Sequence, residues 1–125
     1  MKPFGFVWLA IAFAAVFLIG GIPYWRIPYN QFDASHIEVL PGVVLLGFLT
    51  FMLVFDAAVP ARTVVVTMLL CGPAIVGVSI LRDTAADPTS HNLWPFEIVF
   101  AAILGGAIVV TGWAVGRAAR WIAAR

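Results

Sequence analysis

Four long apolar blocks, separated by short polar stretches, organise this chain. They run over residues 4–22 (FGFVWLAIAFAAVFLIGGI), 39–57, 64–81 and 98–116. The first holds 19 residues without a charge. At about 1.5 Å per residue it extends roughly 28 Å as a helix, close to the hydrocarbon thickness of a bilayer. Lipid offers no partner to a backbone N–H or C=O, so each block is expected to be a helix. The strict alternation of a membrane barrel strand is missing from all four. The expected fold is therefore an all-α membrane protein: one integral membrane domain, residues 1–125, built as a four-transmembrane-helix bundle. The last stretch, 117–125 (RAARWIAAR), is expected to form a short amphipathic tail on the membrane surface. The first block follows Lys2, as in a secretory signal, but it is long for a signal core. "LIGGIPYW" offers no small-x-small cleavage site, so an uncleaved signal anchor is expected.

Composition agrees with this reading. Of 125 residues, 63% are hydrophobic and only 10% charged, far from the balance of a water-soluble domain. The net charge of +1 gives no reason to expect nucleic acid. The single cysteine, Cys71, lies in an apolar block and reads as a small hydrophobe.

Charge sets a direction. With the N-terminus inside, Lys2, Arg62, Arg117, Arg120 and Arg125 are internal, with Asp56 the one acid. Outside lie Arg26 and Arg82 among Asp33, Glu38, Asp83, Asp87 and Glu97. The positive-inside rule then places both termini in the cytoplasm and two ordered loops outside the cell. Tryptophans fall near the ends of the blocks, as an interfacial belt requires.

The outer connections are alike in length and content: PYWRIPYNQFDASHIE (23–38) and RDTAADPTSHNLWPFE (82–97). Each holds two prolines and one histidine and ends in glutamate. This hints at two hairpins related by an axis along the membrane normal. Asp87-Pro88 suits a capped turn, and Pro95 with Glu97 suits the first turn of the fourth helix. If the loops converge, His36, His91, Glu38, Asp33, Asp87 and Glu97 form a candidate site for a divalent metal, or a pH-sensing pair of histidines. The spacing matches no ligand motif, and surface histidines without a role are the competing reading. Arg26, Asn92 and Trp94 form a candidate interaction surface. Asp56 is the one candidate for a proton or ion relay, against a plain end-of-helix pair with Arg62. Neither Ser35-His36 nor Ser90-His91 is a nucleophile–base pair by adjacency. No nucleophile elbow, zinc-protease motif or phosphate loop is present, so no enzyme and no cofactor are expected.

Pro73 is expected to kink the third span. Gly112 and Gly116, Ala102 and Gly106, and Ala10 and Ala14 are each spaced four apart and allow close helix approach, within the bundle first and between copies second. Small multidrug exporters and fluoride channels share this chain's size, but their characteristic polar residues have no counterpart in its spans. The segments DPTSHNLWPFE and IPYWRIPYN resemble a pattern in uncharacterised small four-span bacterial inner-membrane proteins. That resemblance implies a multi-pass protein of the bacterial inner (plasma) membrane and brings no activity with it. The leading expectation is a non-enzymatic accessory or scaffold subunit, whose partners are the lipid bilayer and a membrane protein or second copy. A small oligomeric channel or transporter, and a metal or pH-sensing site on the outer face, are the alternatives.

Overall fold

In the computed structural model, which describes residues 2–28, 31 and 36–125, the chain is all-α. Helix α1 covers Gly5–Arg26. A short 3₁₀ turn, Ile37–Val39, leads into α2, Leu40–Asp56. The third span is two helices end to end, α3 (Ala61–Leu69) and α4 (Cys71–Ala86), and α5 covers Trp94–Ala123. The four spans of 22, 20, 26 and 30 residues are each long and apolar enough to cross a membrane. No more than 33% of the apolar window of any span is buried within the bundle. The outward faces carry Trp8, Ile11, Phe48, Phe100, Ile103 and Val110. Such a surface is stable in lipid, not in water.

The break at Leu70 follows from Pro73. A proline ring clashes with the carbonyl four residues back, here Leu69, and supplies no N–H. The chain closes the gap with a tighter bond, Leu70 N–H to the Thr67 carbonyl at 3.2 Å. Pro23 lies inside α1, which continues to Arg26. The tail is not a separate surface helix: nothing after Gly116 breaks the pattern, and α5 runs on unbroken to Ala123.

The core is thin and is made by close backbone approach. Val16, Val54, Val64, Met68, Cys71 and Val109 are buried at its centre. A Cβ on Gly42 would lie 2.3 Å from the Gly20 Cα, so α1 and α2 cross backbone to backbone. Gly112 and Gly116 sit against the carbonyls of Gly47 and Phe51, joining α5 to α2. The spacing of these two glycines therefore serves packing within the chain, whereas Ala10 and Ala14 stay exposed on α1.

α1 packs on α2, α3 and α4, and α5 packs on α2, α3 and α4, but α1 and α5 do not pack on each other. At one end of the bundle Lys2 N–H meets the Ala58 carbonyl at 3.2 Å, and Arg117 and Arg120 flank the α2–α3 turn. At the other end α4 links the end of α1, through Arg82 and Trp25, to the 87–93 turn, through Asp83 and His91.

Candidate functional site

The site grows out of the end of α4. The apolar block of the third span stops at Leu81, yet the helix continues to Ala86. That extension puts Asp83 one turn beyond Ser79 on the inward face, and the Ser79 Oγ lies 3.5 Å from Asp83 Oδ2. Asp87 ends the helix in an extended conformation. Its carboxylate accepts from the Thr89 N–H at 3.0 Å and the Thr89 hydroxyl at 2.8 Å. These bonds hold the Asp87 carboxyl below its ordinary range. The tight turn carries the chain back so that α5 starts at Trp94, with Pro95 in its first turn and Glu97 beside it. The turn held by Asp87 and the helix start at Pro95 and Glu97 are therefore present, without a side-chain cap on α5, in a connection of only seven residues, 87–93.

His91 projects from this turn into the space between the two helices and is 2% exposed. Its Nδ1 lies 2.8 and 3.0 Å from the Glu97 carboxylate oxygens. Its Nε2 lies 2.9 Å from Asp83 Oδ2. One imidazole thus joins the last turns of α4 to the first turn of α5. Arg82 extends the chain of contacts: its Nε donates to Asp83 Oδ1 at 2.9 Å, and its Nη1 donates to the Trp25 carbonyl at 2.8 Å. The Trp25 indole N–H in turn donates to the Ile75 carbonyl at 2.8 Å. Gly21 leaves room for that indole to fold back on α1, where a Cβ would lie 2.7 Å from the ring.

The chemistry turns on proton count. A neutral imidazole has one N–H and one lone pair, whereas an imidazolium has two N–H donors. With a carboxylate at each nitrogen, the imidazolium alone satisfies both sides. Burial by itself lowers the His91 pKa, but the hydrogen bonds and charges of Asp83 and Glu97 outweigh it and raise the ring above its ordinary 6.5. With His91 charged, Arg82, Asp83, His91 and Glu97 sum to zero. With His91 neutral they carry one negative charge.

The other candidates from the sequence are placed elsewhere. His36 meets the Gln31 carbonyl at 2.7 Å, and its Nδ1 lies 3.4 Å from Glu38. The 3₁₀ turn bearing Glu38 packs on α1 and α2, not on α4 or α5. Asp33 lies outside the described residues. Among the described residues, His91 and Glu97 share one cluster, His36 and Glu38 another, and Asp87 is held by Thr89. Among the described residues no three His, Cys, Asp or Glu side chains are arranged to hold one metal ion. Around His91 the reason is plain, since carboxylates occupy both ring nitrogens. Asp56 pairs with Lys2 instead of Arg62, and both partners are more than half exposed. It lies at the end of α2. Arg26, Asn92 and Trp94 are all exposed.

Asp83, Arg82 and Ser79 are the partners that sequence reasoning did not single out. Their signal is the i, i+4 spacing of Ser79 and Asp83. It becomes visible only when the helix is carried past the apolar block. Comparison with protein-family models, curated proteins and solved structures gives no match.

Proposed function

We propose that this multi-pass protein reads proton concentration through His91 on the outer side of a bacterial plasma membrane. The observation that carries the reading is the burial of His91 between Asp83 and Glu97, on two different helices. The side of the membrane rests on the charge bias: Lys2, Arg62, Arg117, Arg120 and Arg125 lie toward the opposite end, against Arg26 and Arg82 at this one. The bacterial address rests on the resemblance of the outer segments.

Loss of the proton leaves one N–H to share. The tautomer protonated on Nδ1 leaves fewest groups without a donor. Glu97 keeps its bond, and Asp83 retains Arg82 and Ser79. The His91–Asp83 link opens, and with it one tie between α4 and α5. Protonation closes the tie again. This is a two-state element biased by one titrating group, the form in which histidine serves as a switch.

Nitrogen NMR of histidine-labelled protein in nanodiscs tests the reading. His91 titrates with a midpoint above 6.5, and Asp83→Asn moves that midpoint down. A His91 ring that stays neutral across the acidic range ends the proposal.

The accessory-subunit reading stands second. It is favoured by Ala10 and Ala14, a small-residue stripe that α1 turns away from its own bundle. Native mass spectrometry from the source membrane tests it, and a monomer free of other subunits argues against it.

A further inference from the structure

Beside the His91 cluster, where α1 and α5 do not meet, a cleft of about 530 Å³ opens between α1, α4 and α5. Its walls are Tyr24 and Ile27 from the end of α1, Val76 from α4, and Phe96 and Phe100 from α5. Glu97 also lines it, and among the described residues no Lys, Arg or His does. Glu97 thus has two faces. One side of its carboxylate is held by His91, and the side chain, 18% exposed, reaches the cleft on the other. Three aromatic rings around the one carboxylate among the described lining residues, in a mainly apolar cleft, suit a cation that is itself apolar.

We propose that this cleft binds a monovalent lipophilic cation, such as a quaternary ammonium or phosphonium, in exchange for the His91 proton. The inference rests on the proton-reading role of His91 and names the ligand that the proton competes with. The charge balance carries it. With imidazolium present, the four-group cluster is neutral and Glu97 is already compensated. With His91 neutral, the cluster is left with one negative charge, and Glu97 is the carboxylate that meets the cleft. A cation there restores neutrality, so one cation enters as one proton leaves. Among the described residues, the charged groups near the pair are these. α4 supplies Arg82 and Asp83, which pair with each other. The turn supplies Asp87, whose carboxylate is held by Thr89. α1 ends in Arg26, which is exposed and does not line the cleft. Linkage then fixes the sign: cation affinity rises with pH until His91 is fully deprotonated, and bound cation lowers the His91 midpoint.

The test uses the full chain in nanodiscs of zwitterionic lipid and tetraphenylphosphonium as the probe, with empty nanodiscs subtracted. Affinity is expected to rise by up to about tenfold per pH unit below the His91 midpoint and then level off, as displacement of one proton requires. Glu97→Gln abolishes the pH-dependent binding. His91→Gln retains binding and removes its pH dependence, because its cluster carries the negative charge at every pH above carboxylate titration. Phe100→Ala, outside the cluster, weakens binding and leaves the His91 titration in place. Circular dichroism and elution volume establish that each variant is folded. If His91 titrates but the probe binds equally well at every pH, or equally well to Glu97→Gln, the cation proposal is overturned and the proton reading survives. If His91 does not titrate, the proton reading and the exchange both fall, whatever the probe does.

Discussion

A buried imidazole between two carboxylates makes stability depend on pH in a direction opposite to the usual acid sensitivity of membrane-surface carboxylates. The folded His91 pKa is raised above 6.5. Its contribution is therefore fully present below about 6.5 and is lost as pH rises through the folded value. The wild-type protein is expected to melt at a higher temperature near pH 5.5 than near pH 8.5. His91→Gln removes that difference and, at the acidic end, costs about 2 kcal/mol, the order expected when two largely buried carboxylates lose a charged donor. His36→Gln serves as the comparison variant at the other outer histidine, which meets the Gln31 carbonyl and Glu38. Melting curves of the three proteins at two pH values decide the matter, and an unchanged pH response in His91→Gln would count against the assignment. Ser90 provides an adjoining control. Its Oγ is buried without a hydrogen-bond partner among the described residues, so Ser90→Ala is expected to be neutral or slightly stabilising.

The helices show where packing overrides the apolar pattern and where it follows it. Four spans, the break near Pro73 and the start of α5 at Pro95 and Glu97 are legible in the sequence, because proline and long apolar runs act locally. The helix ends are not. α4 gains a further turn past Leu81, and α5 continues through Arg117 and Arg120. A helix in lipid ends where its backbone is satisfied, not where its last apolar residue stands. That single turn of α4 carries Arg82 and Asp83, and so the site stayed hidden while His91 and Glu97 were visible. The tertiary partner of a glycine is equally beyond a one-chain pattern. Gly42 faces Gly20, and a side chain there meets backbone. Gly42→Val is expected to lose about 2 kcal/mol or more through overpacking, whereas Ala14→Leu, on the outward face of α1, folds normally. Thermal unfolding in one detergent compares them directly, and a Gly42→Val protein as stable as the wild type would contradict the crossing. Ala14→Leu has a second use, since a partner docked on that stripe would be released by it. At the end of α2, Ala57 adopts the left-handed conformation with φ 53°. Ala57→Gly removes that strain and is expected to raise stability by about 0.5 kcal/mol, read as a higher melting temperature in the same detergent.

At the scale of the whole molecule the two ends differ in kind. One end gathers Lys2, Arg62, Arg117, Arg120 and Arg125 around the α2–α3 turn and both chain ends. The other holds the acid-rich turns, with the His91 cluster beneath one of them. By the positive-inside rule that difference sets the expected orientation, and the proposed function stands or falls with it. The chain is well suited to measuring it, because its only cysteine, Cys71, is fully buried. Thr89→Cys, in the exposed turn, is expected to react with a membrane-impermeant maleimide added to intact spheroplasts. Arg125→Cys is expected to react only after the membrane is opened. Labelling in the reverse pattern would place His91 on the cytoplasmic side, where pH is held nearly constant and a proton-reading role loses its signal. Removing the bias gives the complementary result. Arg117→Gln with Arg120→Gln leaves three internal bases, Lys2, Arg62 and Arg125, against two outside, and a fraction of molecules is expected to insert inverted. In that mixed population the His91 titration follows the pH of whichever compartment the turn faces. Clamping the two sides at different pH values therefore yields two His91 populations in the variant and one in the wild type.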